Sequence, residues 1–445
     1  MKLHSLQLTN FRCFESLTVE FDPQLTVLVA NNGMGKTAVL DSIAMGLSVF
    51  LSKLPFRKLS GRNPKETDIR IDEEGNKSDF LRIRLETVDG IAWDKSEYRY
   101  KAQSESISKP IGQVAISEYA KNFFRQWDSL GIQLPLIAFY ETGRAVFDSA
   151  KVKRDIFEEF QVEKAYQDAL TSKTNFRGFF RYFYFLEDKE RRGQTEQRDW
   201  DYRLFEIDII RTAISRMMPG FVNPHTELDP LCFMIDWERE SQQQNLRIDQ
   251  LSDGYRTTLA MVMDIASRIA LLCKHSANNS PNIELALNTE GIVLIDEIDL
   301  HLHPSWQQTI LPDLMRTFPS IQFIVTTHSP QVLTTVKRAS IRNLEINEEG
   351  LFVARTPSEE TLGVESQAVL NGIMKVNPIP PVEAADWYAD YIAKIENGCH
   401  NDEEGQALRQ KLLRLYGQTH TMMRDADRLI RFQEFKLRKK VGSTE

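Results

Sequence analysis

The strongest constraint on this chain is that short motifs suited to one chemical site are written far apart along it. A glycine-containing loop, Asn31-Asn32-Gly33-Met34-Gly35-Lys36-Thr37, follows the apolar run Leu25–Ala30 and precedes apolar residues at helical spacing over 37–47. Far along the chain, Ile292-Val293-Leu294-Ile295 runs into Asp296-Glu297, and the next apolar run leads into Thr327-His328-Ser329-Pro330. Between them, Leu251-Ser252-Asp253-Gly254 stands ahead of a helix-like run over 255–274. Only a fold that returns its second half to its first can unite these pieces, and alternating strands and helices predict an α/β protein.

Each piece implies a chemistry. Asn32, Gly33 and Gly35 can turn backbone N–H groups toward phosphates because glycine permits the required dihedrals, and the following helix N-terminus adds partial positive charge. Lys36 would bridge phosphates and Thr37 would ligate Mg²⁺, so ATP and Mg²⁺ are the expected cofactors. The first glycine of G-x-x-x-x-G-K-T is Ala30 here, a position where an extended strand tolerates a Cβ. Asp296, ending a strand, can hold Mg²⁺, which leaves Glu297 to polarise an attacking water, and His328 resembles the switch histidine of ABC-type ATPases, which implies that it reaches the γ-phosphate. Leu251-Ser252-Asp253-Gly254 resembles the signature of ABC-type ATPases, which implies that the Ser252 hydroxyl and Gly254 amide at a helix start meet the γ-phosphate held by a second copy, so a homodimer or higher oligomer is expected.

A net charge of −8 gives no whole-molecule positive field, so a nucleic-acid contact would need a local basic patch. The cysteines, Cys13, Cys232, Cys273 and Cys399, form no CxxC pair, as a reducing compartment would predict. Neither a signal-peptide pattern nor an apolar run long enough for a bilayer is found, so a cytoplasmic protein without membrane contact is expected.

The pattern divides into a head, N-terminal part, over 1–154; a helical insertion over 155–220; the second part of the head over 221–355; and a C-terminal helical segment over 356–445. Segment 276–288 reads as loop, and helices are expected over 305–316 and 329–337. The run Phe176–Phe185 mixes cations and rings, either to pack an amphipathic helix or to stack on bases.

Several stretches carry a resemblance to a known family. Leu8-Thr9-Asn10-Phe11-Arg12-Cys13-Phe14 resembles the N-terminal hairpin of the RecF/OLD/SMC-like ABC-type ATPases, which implies that Arg12 reaches the nucleotide. Ile295–Pro304 followed by Trp306-Gln307 is similar to the Walker B and dimer-crossing D-loop of that group, although the signature motif ends in Tyr255 where glutamine or glutamate is usual. Ala138–Arg144 looks like a segment of small defence ATPases, and Leu362–Ser366 resembles the C-terminus of the PtuA ATPases of Septu and related retron defence systems. The resemblance implies an ABC/SMC-like head with mixed sheets and flanking helices. It further implies a separate HNH nuclease of the PtuB kind, expected to dock on the C-terminal segment. The stretch from Thr37 to Leu251 lacks heptads and a CxxC hook, which excludes long SMC arms. A RecF-like repair factor working on DNA ends or gaps is the alternative.

Overall fold

The computed structural model describes residues 1–441 apart from 57–58, 60, 100–109, 131–132, 146–160, 172–175, 229–230, 240–241 and 274–281. It divides into two compact units, Met1–Met374 and Lys375–Glu445.

The first unit opens with strands β1 (Leu3–Phe11), β2 (Phe14–Glu20) and β3 (Leu25–Val29), then helix α1 (Lys36–Lys53). β4 (Phe80–Thr87), β5 (Ala92–Tyr98), α2 (Gln113–Leu130) and β6 (Leu136–Tyr140) follow, then α3 (Phe176–Gln197) and α4 (Phe205–Met217). β7 (Phe221–Glu227), β8 (Cys232–Arg239) and β9 (Gln242–Arg247) lead to α5 (Asp253–Cys273) and α6 (Ile283–Leu287). β10 (Gly291–Ile295), α7 (Pro304–Gln307), α8 (Ile310–Thr317), β11 (Ile321–Thr326), α9 (Pro330–Leu333), β12 (Ile341–Ile346), β13 (Phe352–Arg355) and α10 (Ser366–Gly372) complete it.

Three sheets result. β2-β1-β4-β5 and β7-β8-β9 are antiparallel, and their strands alternate buried and exposed residues where one face meets the core. The central sheet runs β13-β12-β3-β11-β10-β6 and is parallel from β12 to β6. β3, β6, β10 and β11 are buried at every residue, as expected of parallel strands covered on both faces. Because these strands are parallel neighbours, the segments that follow β3, β11, β10 and β6 emerge along one edge of the sheet.

Several expectations are revised. Residues 276–281 lie outside the described residues, but the rest of the supposed loop holds α6, capped by the Asn282 side chain accepting from Leu285 N at 3.1 Å and anchored by buried Ala286 and Leu287. The helix expected over 305–316 is two helices. Pro312, which has no N–H, is compatible with the first turn of α8 but would leave the Gln308 carbonyl without its partner in a continuous helix. The helix expected over 329–337 closes after one turn, where Thr334 and Thr335 donate to the carbonyls of Gln331 and Val332. β12 and β13 were not anticipated; they pair around a turn that Gly350 permits with φ 79°. In α3, Phe179, Phe180, Tyr182 and Phe183 are buried, so these rings serve packing rather than base stacking.

The second unit has α11 (Glu383–Glu396), α12 (Glu403–Tyr416) and α13 (Thr421–Val441). They close on a small core of Tyr391, Ile395, Leu408, Leu412, Met423 and Ala426. Arg409 fastens it, donating to Tyr391 Oη at 2.8 Å and Asp427 at 2.7 Å. Leu415, Phe432 and Phe435 stay exposed. No helix among the described residues is long and apolar enough to cross a membrane.

Candidate nucleotide site

The edge of the parallel sheet gathers most of the residues singled out from sequence. After β3, the loop turns through Gly33 and Gly35, with φ 80° and 84°, into the N-terminus of α1. Asn32 and Gly33 are exposed, and a Cβ on Gly33 would meet nothing within 4 Å, so its requirement is purely one of backbone conformation. Gly35 has a second reason. A Cβ there would stand 2.3 Å from the Phe14 ring and 2.8 Å from Cys13 Sγ, so the β1–β2 hairpin closes directly under the loop.

Lys36 is buried, and its ammonium donates to the carbonyls of Ala30 at 2.9 Å and Asn31 at 3.2 Å, spanning the loop it closes. Burial pushes its pKa down, against the opposing pull of Asp296, Glu297 and Asp299. Thr37 donates to Asp296 Oδ2 at 2.8 Å, which joins the two distant motifs directly. Thr326, the last residue of β11, donates to the other oxygen of Asp296 at 2.6 Å and accepts from Glu297 N at 2.7 Å. Glu297 sits at φ 49°, a conformation that costs a non-glycine residue about 1–3 kcal/mol and is retained where surrounding contacts enforce it. His301, at φ 63°, bends the following segment in the same way.

His328 leaves β11 beside this cluster. Its backbone donates to Asp299 Oδ1 at 3.3 Å, and Thr327 donates to the same oxygen at 2.6 Å, so Asp299 ties the histidine's segment to the one that follows Glu297. Asp299, His301 and His303 therefore do not meet as a metal cluster, and none is found among the described residues.

Arg12, at φ 49°, is held by two carboxylates: it donates to Asp41 at 2.6 Å and to Asp68 at 2.9 Å. Arg62 pairs with the other oxygen of Asp41 at 2.7 Å and with Glu141. An alternating chain Asp68–Arg12–Asp41–Arg62–Glu141 thus flanks α1, and Asp41 has its carboxyl pKa raised by burial despite Arg62 and Arg12. Sequence reading missed Asp41, Arg62 and Glu141. Glu141 had a signal: it follows an apolar strand as Asp296 does, and Tyr140 pairs with Ile295 across β6 and β10.

The signature residues are placed differently. Ser252 is exposed at the start of α5, and among the described residues no hydrogen bond joins Ser252 or Gly254 to the phosphate loop. Gly254 instead lies against the chain's own His301, whose carbonyl would be 2.5 Å from a Cβ. Tyr255, the departure from the usual motif, packs among Phe221, Trp237 and Trp306, edge-on to the last at 4.3 Å. That position is therefore spent on the core rather than on an outer polar contact.

A magnesium ion fits the oxygens that converge here. A threonine hydroxyl and a buried carboxylate meeting at one point are the hard donors that such an ion prefers, and each has a protein partner that fixes its rotamer.

The chain is similar to several known proteins. The AAA domain family matches residues 5–257. The retron Ec83 probable ATPase of Escherichia coli is 30% identical, covering 89% of this chain and 80% of that protein. The retron Vc95 probable ATPase of Vibrio cholerae is 27% identical over 92% of this chain and 87% of its own length. Septu protein PtuA of Bacillus mycoides is 31% identical over 40% of this chain and 24% of that protein. Among solved structures, an Smc head bound to the C-winged helix domain of ScpA is 13% identical, with a TM-score of 0.43 over 80% of this chain and 98% of that one.

Proposed function

This chain belongs to the AAA domain family of ATPases and is similar to retron ATPases and to Septu protein PtuA, and on that premise we propose that it is an ATP-controlled scaffold for a separate HNH nuclease in anti-phage defence. The observation that carries the nucleotide half of this reading is the 2.8 Å contact between Thr37 and Asp296, because it joins loop and acid across the whole head. The match along nearly all of the chain to a retron ATPase supports the defence half.

In this reading the backbone amides from Asn32 to Thr37 and the Lys36 ammonium cradle the β- and γ-phosphates, the lysine leaving its two carbonyl partners to do so. Thr37 and Asp296 would hold Mg²⁺, which would neutralise phosphate charge. Glu297 orients and deprotonates the attacking water, and His328 donates toward the γ-phosphate. Arg12 exchanges a carboxylate partner for the nucleotide. Ser252 and Gly254 complete the site of a second copy, which accounts for the exposure of Ser252 on its own chain. The C-terminal helices dock the nuclease, and exposed Leu415 and Phe432 supply apolar contacts for it.

The test is isolation of the native complex from cells carrying the wild-type gene or a chain truncated after Met374. The expected result is an HNH nuclease that copurifies with the full chain and is absent with the truncated one, which still binds ATP. A full chain that brings down no nuclease, yet binds gapped DNA in a salt-dependent manner, replaces this reading with the RecF-like one.

A further inference from the structure

One fully buried charged group in the head takes no part in the chemistry above. The Tyr140 hydroxyl donates to Asp264 Oδ2 at 2.6 Å, and Arg268 Nε donates to Asp264 Oδ1 at 2.8 Å. All three side chains are at most 3% exposed. The guanidinium continues to the Ala165 carbonyl at 2.6 Å and lies over the Phe179 ring at 5.2 Å. A buried ion pair is weak evidence of stability, since desolvating both charges offsets much of their attraction. What it does impose is geometry, because each lone pair and N–H must keep its partner.

The placement of the three residues gives that geometry a use. Tyr140 ends β6, and its own carbonyl accepts from Asp296 N at 2.8 Å. One residue therefore grips the strand end that carries the metal carboxylate through its backbone and the α5 helix through its phenol. Asp264 lies eleven residues into α5 from Asp253, about 16 Å along the axis from the end that presents Ser252 and Gly254. A helix of this length moves as a rod, so fixing its middle fixes the direction of its start.

We propose that Tyr140, Asp264 and Arg268 form a positioning strut that aims the start of α5, so that Ser252 and Gly254 of one copy meet the nucleotide held by the other. The inference rests on the two-copy reading of the signature given above. Tyr140 acts on the partner's nucleotide through α5 and touches no substrate itself.

Mixed pairs of chains test it. One chain carries Lys36→Ala and donates only its signature; the other carries Ser252→Arg and donates only its phosphate loop. Their mixture should hydrolyse ATP at one composite site. Adding Tyr140→Phe to the signature donor should lower the maximal rate about tenfold with the KM for ATP unchanged. Added to the phosphate-loop donor, the same change should alter neither. Asp264→Asn, which keeps an acceptor for the phenol but removes the charge facing Arg268, should show the same one-sided effect, and melting curves of each variant confirm folding. A composite pair that is inactive before any strut change overturns the two-copy reading and the strut with it. An active pair that ignores Tyr140→Phe on the signature donor, or responds only when the change is on the other chain, overturns the strut alone.

Discussion

The phosphate-loop side and the signature side of this head are finished to different degrees within one chain. On the first, Lys36 is held by carbonyls of its own loop, Thr37 by Asp296 just beyond β10, and Asp296 and the Glu297 amide by Thr326 at the end of β11. On the second, Gly254 and Tyr255 are committed to packing on the chain's own His301 and Trp306, while Ser252 is exposed. A side whose polar groups are satisfied internally can be read and tested in the isolated chain. A side that ends in an exposed hydroxyl at a helix start is tested only by supplying a second surface.

Glu297→Gln should give the largest change on the finished side, a loss of about 10²–10⁴ in hydrolysis rate with ATP binding retained. Hydrolysis at the wild-type rate would remove Glu297 from the chemistry. Lys36→Ala should come next. Losing a charge-assisted contact of about 2–3 kcal/mol weakens ATP binding by roughly 100-fold, read by titration with a fluorescent nucleotide. Unchanged affinity would mean that the loop is not a phosphate site.

The signature side should split by residue. Gly254→Ala drives a methyl onto the His301 carbonyl, so it should destabilise the lone chain by about 1–3 kcal/mol in denaturant melts. Ser252→Ala should leave that melt alone and still cut ATP hydrolysis, since the hydroxyl faces solvent on its own chain. Equal melting changes for the two would erase the contrast between packed and offered residues.

The smallest effect concerns the support behind Arg62. The Lys95 ammonium donates to Asn63 Oδ1 and Ser48 Oγ at 2.7 Å and to the Arg62 carbonyl at 3.1 Å, and burial lowers its pKa to about 8. A folded pKa below the unfolded one favours the neutral amine in the folded state. Its contribution to stability is therefore present above the unfolded value and lost as pH falls through about 8. Wild type should gain stability relative to Lys95→Met as pH rises from about 8 toward the ordinary lysine range. A pH-independent difference would show that the ammonium is as well solvated folded as unfolded.

Much of the finished side was legible beforehand because its signals are local. A strand, a glycine loop and a helix follow one another around Lys36, and Asp296, Glu297 and His328 each follow an apolar run. The ion-pair chain through Asp41, Arg62 and Glu141 was not legible, since a charged residue in a helix or loop carries no mark of the partner it will meet. Nor were the short α6 and the break between α7 and α8, where one capping asparagine or one proline outweighs a longer pattern.

By itself the sequence determined where a glycine loop enters a helix, where acids follow apolar runs and which strands would be buried, because spacing, glycine and apolar periodicity act over a few residues. Tertiary structure alone decided the strand order β12-β3-β11-β10-β6, which lines up the ends of separate strands and brings Thr37 within a hydrogen bond of Asp296. It also decided that Tyr255 belongs to an aromatic cluster and that Tyr140 reaches Asp264. Those outcomes depend on which surfaces fill one another's space when the core closes, and close packing is a property of the whole arrangement rather than of any stretch of chain.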